Sequence, residues 1–147
     1  MHLDDTIVAL ASAAGSGARA VVRLSGPDSL RVAQTIFTPT SPIDAAVRRL
    51  HPGSIALPIL ASPLPADLLV WPAPRTYTGQ PMAELHLVSS PPLVELAIAA
   101  LLDGGARAAN PGEFTMRAFL AGKRDLTRAE AVQAVVAAEG RAELTSA

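Results

Sequence analysis

The sequence predicts an α+β fold. Helix-period and strand-period segments are intermixed along its 147 residues, the joins between them are long and irregular, and no regular βαβ spacing recurs. Half of the residues are hydrophobic, enough for one good core in a single domain with a short appendage.

The elements follow in order. Residues 18–25 alternate as a strand does, with Ala20, Val22 and Leu24 on one side and Val21, Arg23 and Ser25 on the other, so Arg23 leaves the apolar row. Gly26-Pro27 then opens a predicted helix in which Leu30, Ala33, Ile36 and Phe37 recur at helical spacing, ending before Pro39. From 38 to 65 the prolines at positions 39, 42, 52, 58, 63 and 65 predict short strands and irregular loops, with a helical turn or two over 45–50. Strands are predicted over 66–71 and 82–88, joined by a turn-rich loop; in the second, Glu84 and His86 share the face opposite Ala83, Leu85 and Leu87. Residues 92–103 place Leu93, Leu96, Ala97, Ala100 and Leu101 on one helical stripe that ends at Gly104-Gly105. A short strand over 106–109 leads to Asn110, which is placed to cap a helix with Pro111 first and Glu113 third. After the link Gly122-Lys123-Arg124-Asp125, Thr127 and Glu130 repeat the capping spacing for a last helix carrying Val132, Val135 and Val136 on one face. That face is expected to pack on the main domain or on a second copy.

Composition narrows the function. A formal net charge of −1 argues against a surface that binds polyanions by bulk electrostatics. Cysteine is absent, and His2, His51 and His86 are scattered without metal-ligand spacing, so neither a thiol nucleophile nor a metal centre is expected. Nothing resembles a signal peptide or a membrane span, which predicts a cytoplasmic protein without membrane contact. Gly15-Ser16-Gly17 precedes a strand and lacks the later glycine of a dinucleotide loop, so it reads as a flexible turn. There is no G-x-x-x-x-G-K-[ST] phosphate loop in the chain.

Three separated segments carry a family likeness. The longest is Asn110-Pro111-Gly112-Glu113-Phe114-Thr115, followed by Arg117-Ala118-Phe119-Leu120, Gly122-Lys123, Asp125-Leu126 and Ala129-Glu130-Ala131. The second is Asp5-Thr6-Ile7-Val8-Ala9 with Gly15-Ser16-Gly17 and Arg23-Leu24-Ser25-Gly26; the third is Tyr77-Thr78-Gly79 with Glu84-Leu85-His86. In order and spacing the chain resembles the N-terminal part of the MnmE (TrmE) family of tRNA-modification GTPases. The resemblance implies the tetrahydrofolate-binding fold shared with glycine-cleavage T-protein-like enzymes over 1–122, and the truncated beginning of a helical domain over 123–147. It implies a homodimer that holds 5-formyl-tetrahydrofolate or a related tetrahydrofolate. Full-length members are expected to hydrolyse GTP with potassium and magnesium, and to modify C5 of the wobble uridine of tRNA with an FAD-containing partner, MnmG (GidA). The GTPase domain is absent from these residues, so they are expected to be inactive alone.

By the same resemblance Arg23, Glu84 and Lys123 correspond to contacts with the folate, and the chemistry suits them. A carboxylate at Glu84 can accept both adjacent N–H donors of a pterin, while Arg23 and Lys123 suit a carbonyl or the carboxylates of the glutamyl tail. The plainer alternative is a cross-strand ion pair between Arg23 and Glu84 with Lys123 as a solvated helix end. Glu113 and Arg117 read as an i, i+4 helix-surface pair with a structural role. Trp71 and Tyr77, two of only five aromatic residues, are expected in the core. The chain departs from the family at residues 87–91, where Leu-Val-Ser-Ser-Pro replaces Gly-His-Gly-Gly-Pro, at Ala13-Ala14, and at Gln80-Pro81, where the family is acidic. The lost glycines favour one rival, a dimerisation module that has lost folate; a second rival is a T-protein-like one-carbon transferase, for which His86 and Asp125 are weak candidates as acid or base.

Overall fold

The computed structural model describes residues 4–12 and 17–122. In them, the strands β1 (Ile7–Leu10), β2 (Gly17–Ser25), β3 (Phe37–Pro39), β4 (Arg49–Ile55), β5 (Leu64–Trp71), β6 (Met82–Ser89) and β7 (Arg107–Ala108) join in one sheet. Its order is β3-β4-β5-β6-β2-β1-β7. Every neighbouring pair is antiparallel except β1 with β7. The mixed α+β class expected from the sequence is therefore present.

Side-chain parity sorts the sheet into two faces. Val22 lies opposite Leu85, Leu24 opposite Ala83, and Leu85 in turn opposite Leu68. These residues are buried in one cluster with Val32 and Ala33 of helix α1 (Ser29–Ala33) and with Val94, Ala97 and Leu101 of helix α2 (Pro91–Asp103). The other face of the same strands carries Arg23, Glu84, His86, Leu69 and Trp71. The period-two reading of residues 18–25 and 82–88 thus put Arg23 and Glu84 on the correct side.

Several predicted boundaries change. The helix after Pro27 ends at Ala33, and Phe37 opens β3 opposite Ile55. Helical spacing of Ile36 and Phe37 was outweighed by sheet pairing, which buries Phe37 to 2% exposure. Over 45–50 a single turn forms, in which the Asp44 carboxylate accepts the Ala46 N–H at 2.9 Å, and β4 then begins at Arg49. Pro52 does not interrupt that strand: it needs no N–H there, and its carbonyl accepts from the Thr40 N–H at 2.9 Å. The last described helix, α3, spans Glu113–Leu120 and starts later than an Asn110 cap would place it. Gly112, in the left-handed conformation with φ +76°, occupies the cap position. One half of the expected box is present, because the Glu113 carboxylate reaches back to the Asn110 N–H at 2.9 Å. The predicted helix after Thr127 lies outside the described residues.

Candidate functional site

Arg23 on β2 stands directly opposite Glu84 on β6. Its Nε donates to Glu84 Oε2 at 2.7 Å, and its Nη2 lies 2.5 Å from the same oxygen. The second carboxylate oxygen, Oε1, is 3.5 Å from His86 Nε2, too far for a good hydrogen bond, so it keeps its acceptor capacity. The cross-strand ion pair considered as the plainer alternative therefore exists. It also lies in the wall of a cavity, so the pair is compatible with a binding site.

That cavity measures about 400 Å³ and is lined by Arg23, Arg48, Trp71, Arg75, Thr76, Tyr77, Met82 and Glu84. Its size falls within the range of small-molecule sites. The sheet supplies the base and the loop 72–81 supplies a wall. Trp71 and Tyr77, expected in the core, instead face this space: Trp71 is only half-buried and Tyr77 is 41% exposed. The reason is that Trp71 shares the parity of Leu69 and Asp67, on the sheet face away from α1 and α2. Arg48 stacks over Trp71 with its guanidinium carbon 5.5 Å from the ring centroid. Arg23 also lines a second hollow of about 220 Å³, together with Ala9, Leu10, Ala11, Gly112, Phe114 and Thr115.

Behind the loop is a buried ionic cluster. Arg117, 2% exposed, donates to the Asp5 carbonyl and to Gln80 Oε1, both at 2.9 Å, and to Asp5 Oδ1 at 2.5 Å. Arg107 donates through Nε to Asp5 at 2.6 Å, and its two Nη atoms reach the two oxygens of Glu113 at 3.0 and 2.5 Å. Glu113 also accepts from Arg117 at 3.3 Å. Gln80 transmits this support to the cavity wall: its Oε1 accepts from Ser25 at 3.1 Å, and its carbonyl accepts the Thr76 hydroxyl at 2.6 Å. The structural role expected for Glu113 and Arg117 holds, but both are buried and neither belongs to a helix surface. No short-range spacing in the sequence announces Asp5, Arg107 or Gln80 as their partners.

The cluster makes stability depend on acid. The hydrogen bond from Arg107 is the largest influence on Asp5; with Arg117 it outweighs the effect of burial and holds the carboxyl below its usual range. Burial pushes Glu113 upward, but Arg107, the Asn110 N–H and the charge of Arg117 outweigh it, and the net shift is again downward. Arg107 is correspondingly raised, first by Glu113 and then by Asp5. Carboxyls with folded pKa values below their unfolded ones contribute stability that is fully present above the unfolded values and is lost as pH falls through the folded ones. Stability is thus expected to hold from neutrality to about pH 5 and to fall steeply below about pH 4. Urea denaturation across this range checks it; in Asp5→Asn the slope should flatten.

Of the three sequence-derived site residues, the structure brings Arg23 and Glu84 together, and Lys123 lies outside the described residues. Among the described residues no helix is long and apolar enough to cross a membrane.

Comparison with known proteins gives the family. The model described as "GTP-binding protein TrmE N-terminus" matches residues 6–123. The chain belongs to the MnmE (TrmE) family. The tRNA modification GTPase MnmE of Rhodopirellula baltica is 49% identical over 147 residues, covering 98% of this chain and 31% of the relative. MnmE of Thermus thermophilus is 42% identical, with 95% of this chain and 33% of the relative covered. MnmE of Nitratidesulfovibrio vulgaris is also 42% identical, with coverages of 96% and 31%. The chain therefore spans about a third of the length of these MnmE relatives and corresponds to the N-terminal domain. Within that domain, the departure at residues 87–91 falls at the end of β6 and the start of α2. Among the described residues, none of those five lines the 400 Å³ cavity.

Proposed function

We propose that this MnmE domain binds a reduced folate, 5-formyl-tetrahydrofolate or a close relative, in the cavity above Arg23 and Glu84. The observation that carries the reading is a nearly buried carboxylate with an uncommitted oxygen, set in a cavity of about 400 Å³ beside Trp71 and Tyr77. The donor set fits such a ligand. Oε1 of Glu84 accepts from the pterin N–H groups while Arg23 orients the carboxylate through Oε2, and the two aromatic side chains offer flat surfaces to a flat heterocycle. Lys123 supplies a further cation to the ligand's carboxylates. When bound, the folate supplies a one-carbon unit.

This reading treats residues 1–122 as a domain of the tetrahydrofolate-binding fold and 123–147 as the start of a helical domain. The wider proposal is that it serves a cytoplasmic, homodimeric tRNA-modification GTPase, with GTP, potassium and magnesium handled elsewhere in the protein. There it would serve the modification of C5 of the wobble uridine in concert with MnmG (GidA). The name shared by the relatives, tRNA modification GTPase, supports that setting.

Calorimetric titration of 5-formyl-tetrahydrofolate into the wild type and three variants tests the pocket. Glu84→Ala leaves pterin donors unsatisfied and is expected to weaken binding by about 1–3 kcal/mol, roughly fivefold to 150-fold. Arg23→Ala should match it or fall slightly short, and Lys123→Ala should have the smallest effect. No heat with the wild type would favour the module that dimerises without folate. Equal affinities in all four proteins would mean that these residues do not form the pocket.

A further inference from the structure

Loop 72–81 divides into a half that lines the cavity and a half that anchors it. Arg75, Thr76 and Tyr77 border the space, whereas Thr78, Gly79, Gln80 and Pro81 do not. The Thr78 hydroxyl, on a residue only 2% exposed, is 2.6 Å from that of Ser25 on β2. The Pro81 carbonyl accepts from the Gly26 N–H at 3.0 Å and from the Ser29 hydroxyl at 2.9 Å. The two residues between them meet α3. Gln80 Oε1 accepts from Arg117 Nη1 at 2.9 Å, and a Cβ at Gly79 would lie 2.7 Å from the Cβ of Ala121, which caps α3. Gly79, at φ +79°, is in the left-handed region, so its conformation and this close approach both call for glycine. Arg117 is itself held by the carbonyl and carboxylate of Asp5, and the Thr76 hydroxyl ties the lining half to the Gln80 carbonyl at 2.6 Å. No residue of α3 lines the cavity, yet its last turn grips the cavity loop at two consecutive residues.

We infer that Arg117, acting through Gln80, and Ala121, seated against Gly79, are positioning residues that hold loop 72–81 in its ligand-binding shape, so that α3 sets the affinity of a cavity it does not line. The inference rests on the folate reading above and deepens it. Apparent affinity falls with the fraction of molecules whose loop is in the competent shape, so loosening the loop weakens binding without removing a ligand contact. The coupling is reciprocal: a ligand lodged against Thr76 and Tyr77 steadies α3 in return.

The test pairs amide hydrogen exchange of the free protein with calorimetric titration of 5-formyl-tetrahydrofolate. The Thr76 and Gly79 amides donate to the Pro74 and Thr76 carbonyls. In Gln80→Ala they are expected to exchange about tenfold faster than in the wild type, beyond any change in the α2 amides, and affinity is expected to fall about fivefold. Gln80→Glu keeps an acceptor for Arg117 and Ser25 and should bring both readouts to within about twofold of the wild type. Ile55→Val, a change in the buried core on β4, should lower the thermal midpoint while leaving the loop amides and the affinity unchanged. Loop exchange or affinity unchanged in Gln80→Ala, or an equal loss of affinity in Ile55→Val, would overturn this inference and leave the folate reading standing. No binding by the wild type would remove the folate reading; loop exchange in the free protein would then decide alone, unchanged rates in Gln80→Ala overturning the positioning role and faster rates upholding it.

Discussion

Arg117→Ala is expected to destabilise the domain by about 3–5 kcal/mol, the cost of removing one member of a buried charged cluster and leaving its partners uncompensated. The side chain is 1% exposed and meets Asp5, Glu113 and Gln80, so its loss affects the N-terminal strand, α3 and the cavity loop together. A deficit that large is a substantial part of the stability of a small domain. Urea denaturation followed by circular dichroism measures it. Gln80→Ala, which removes one neutral acceptor, should cost only about 1–2 kcal/mol and keeps the comparison available if Arg117→Ala does not fold. An Arg117→Ala variant within about 1 kcal/mol of the wild type would show that water replaces the cluster at little cost.

Gly53→Val is expected to be the next most damaging change, at about 3 kcal/mol or more by overpacking. Gly53 sits in the middle of β4, between Ala66 of β5 and Pro39 of β3. A Cβ at that position would lie 2.2 Å from the Thr38 carbonyl oxygen and 2.7 Å from the Phe37 ring. The nearest obstacle is backbone, so no side-chain rotation relieves it, and β3 would have to leave the sheet together with the buried Phe37. Thermal denaturation should show a clear drop in midpoint, and amide exchange should show β3 opening first. A variant with unchanged midpoint would mean that the strand shifts freely.

How much of this was legible in the sequence depended on whether the signal was local. Strand β6 and helix α2 were legible because residues 82–88 and 92–103 each repeat one period cleanly, and parity then put Glu84 on the face opposite Leu85. The segment from Ser29 to Phe37 was misread because its apolar residues fit a helix as well as a turn into a strand, and only pairing with Ile55 decides between them. The cavity was half legible. Arg23 and Glu84 follow from alternation and from the family motifs, whereas Arg48 and Arg75 meet them only because β6 is inserted between β5 and β2. The same holds for Asp5 and Arg107, which are 102 residues apart and adjoin because β7 runs alongside β1. Polar residues carry no periodicity that would reveal such long-range partners.

Trp71, the only tryptophan in the chain, stands in the wall of the proposed folate site and reports on it directly. The most direct measurement is its fluorescence during titration with 5-formyl-tetrahydrofolate, corrected for ligand absorbance and repeated with Glu84→Ala. Saturable quenching is expected in the wild type, and a curve displaced by about fivefold or more in the variant. Calorimetric binding with no change at Trp71, or the same quenching curve in both proteins, would contradict the placement of the ligand against Arg23 and Glu84.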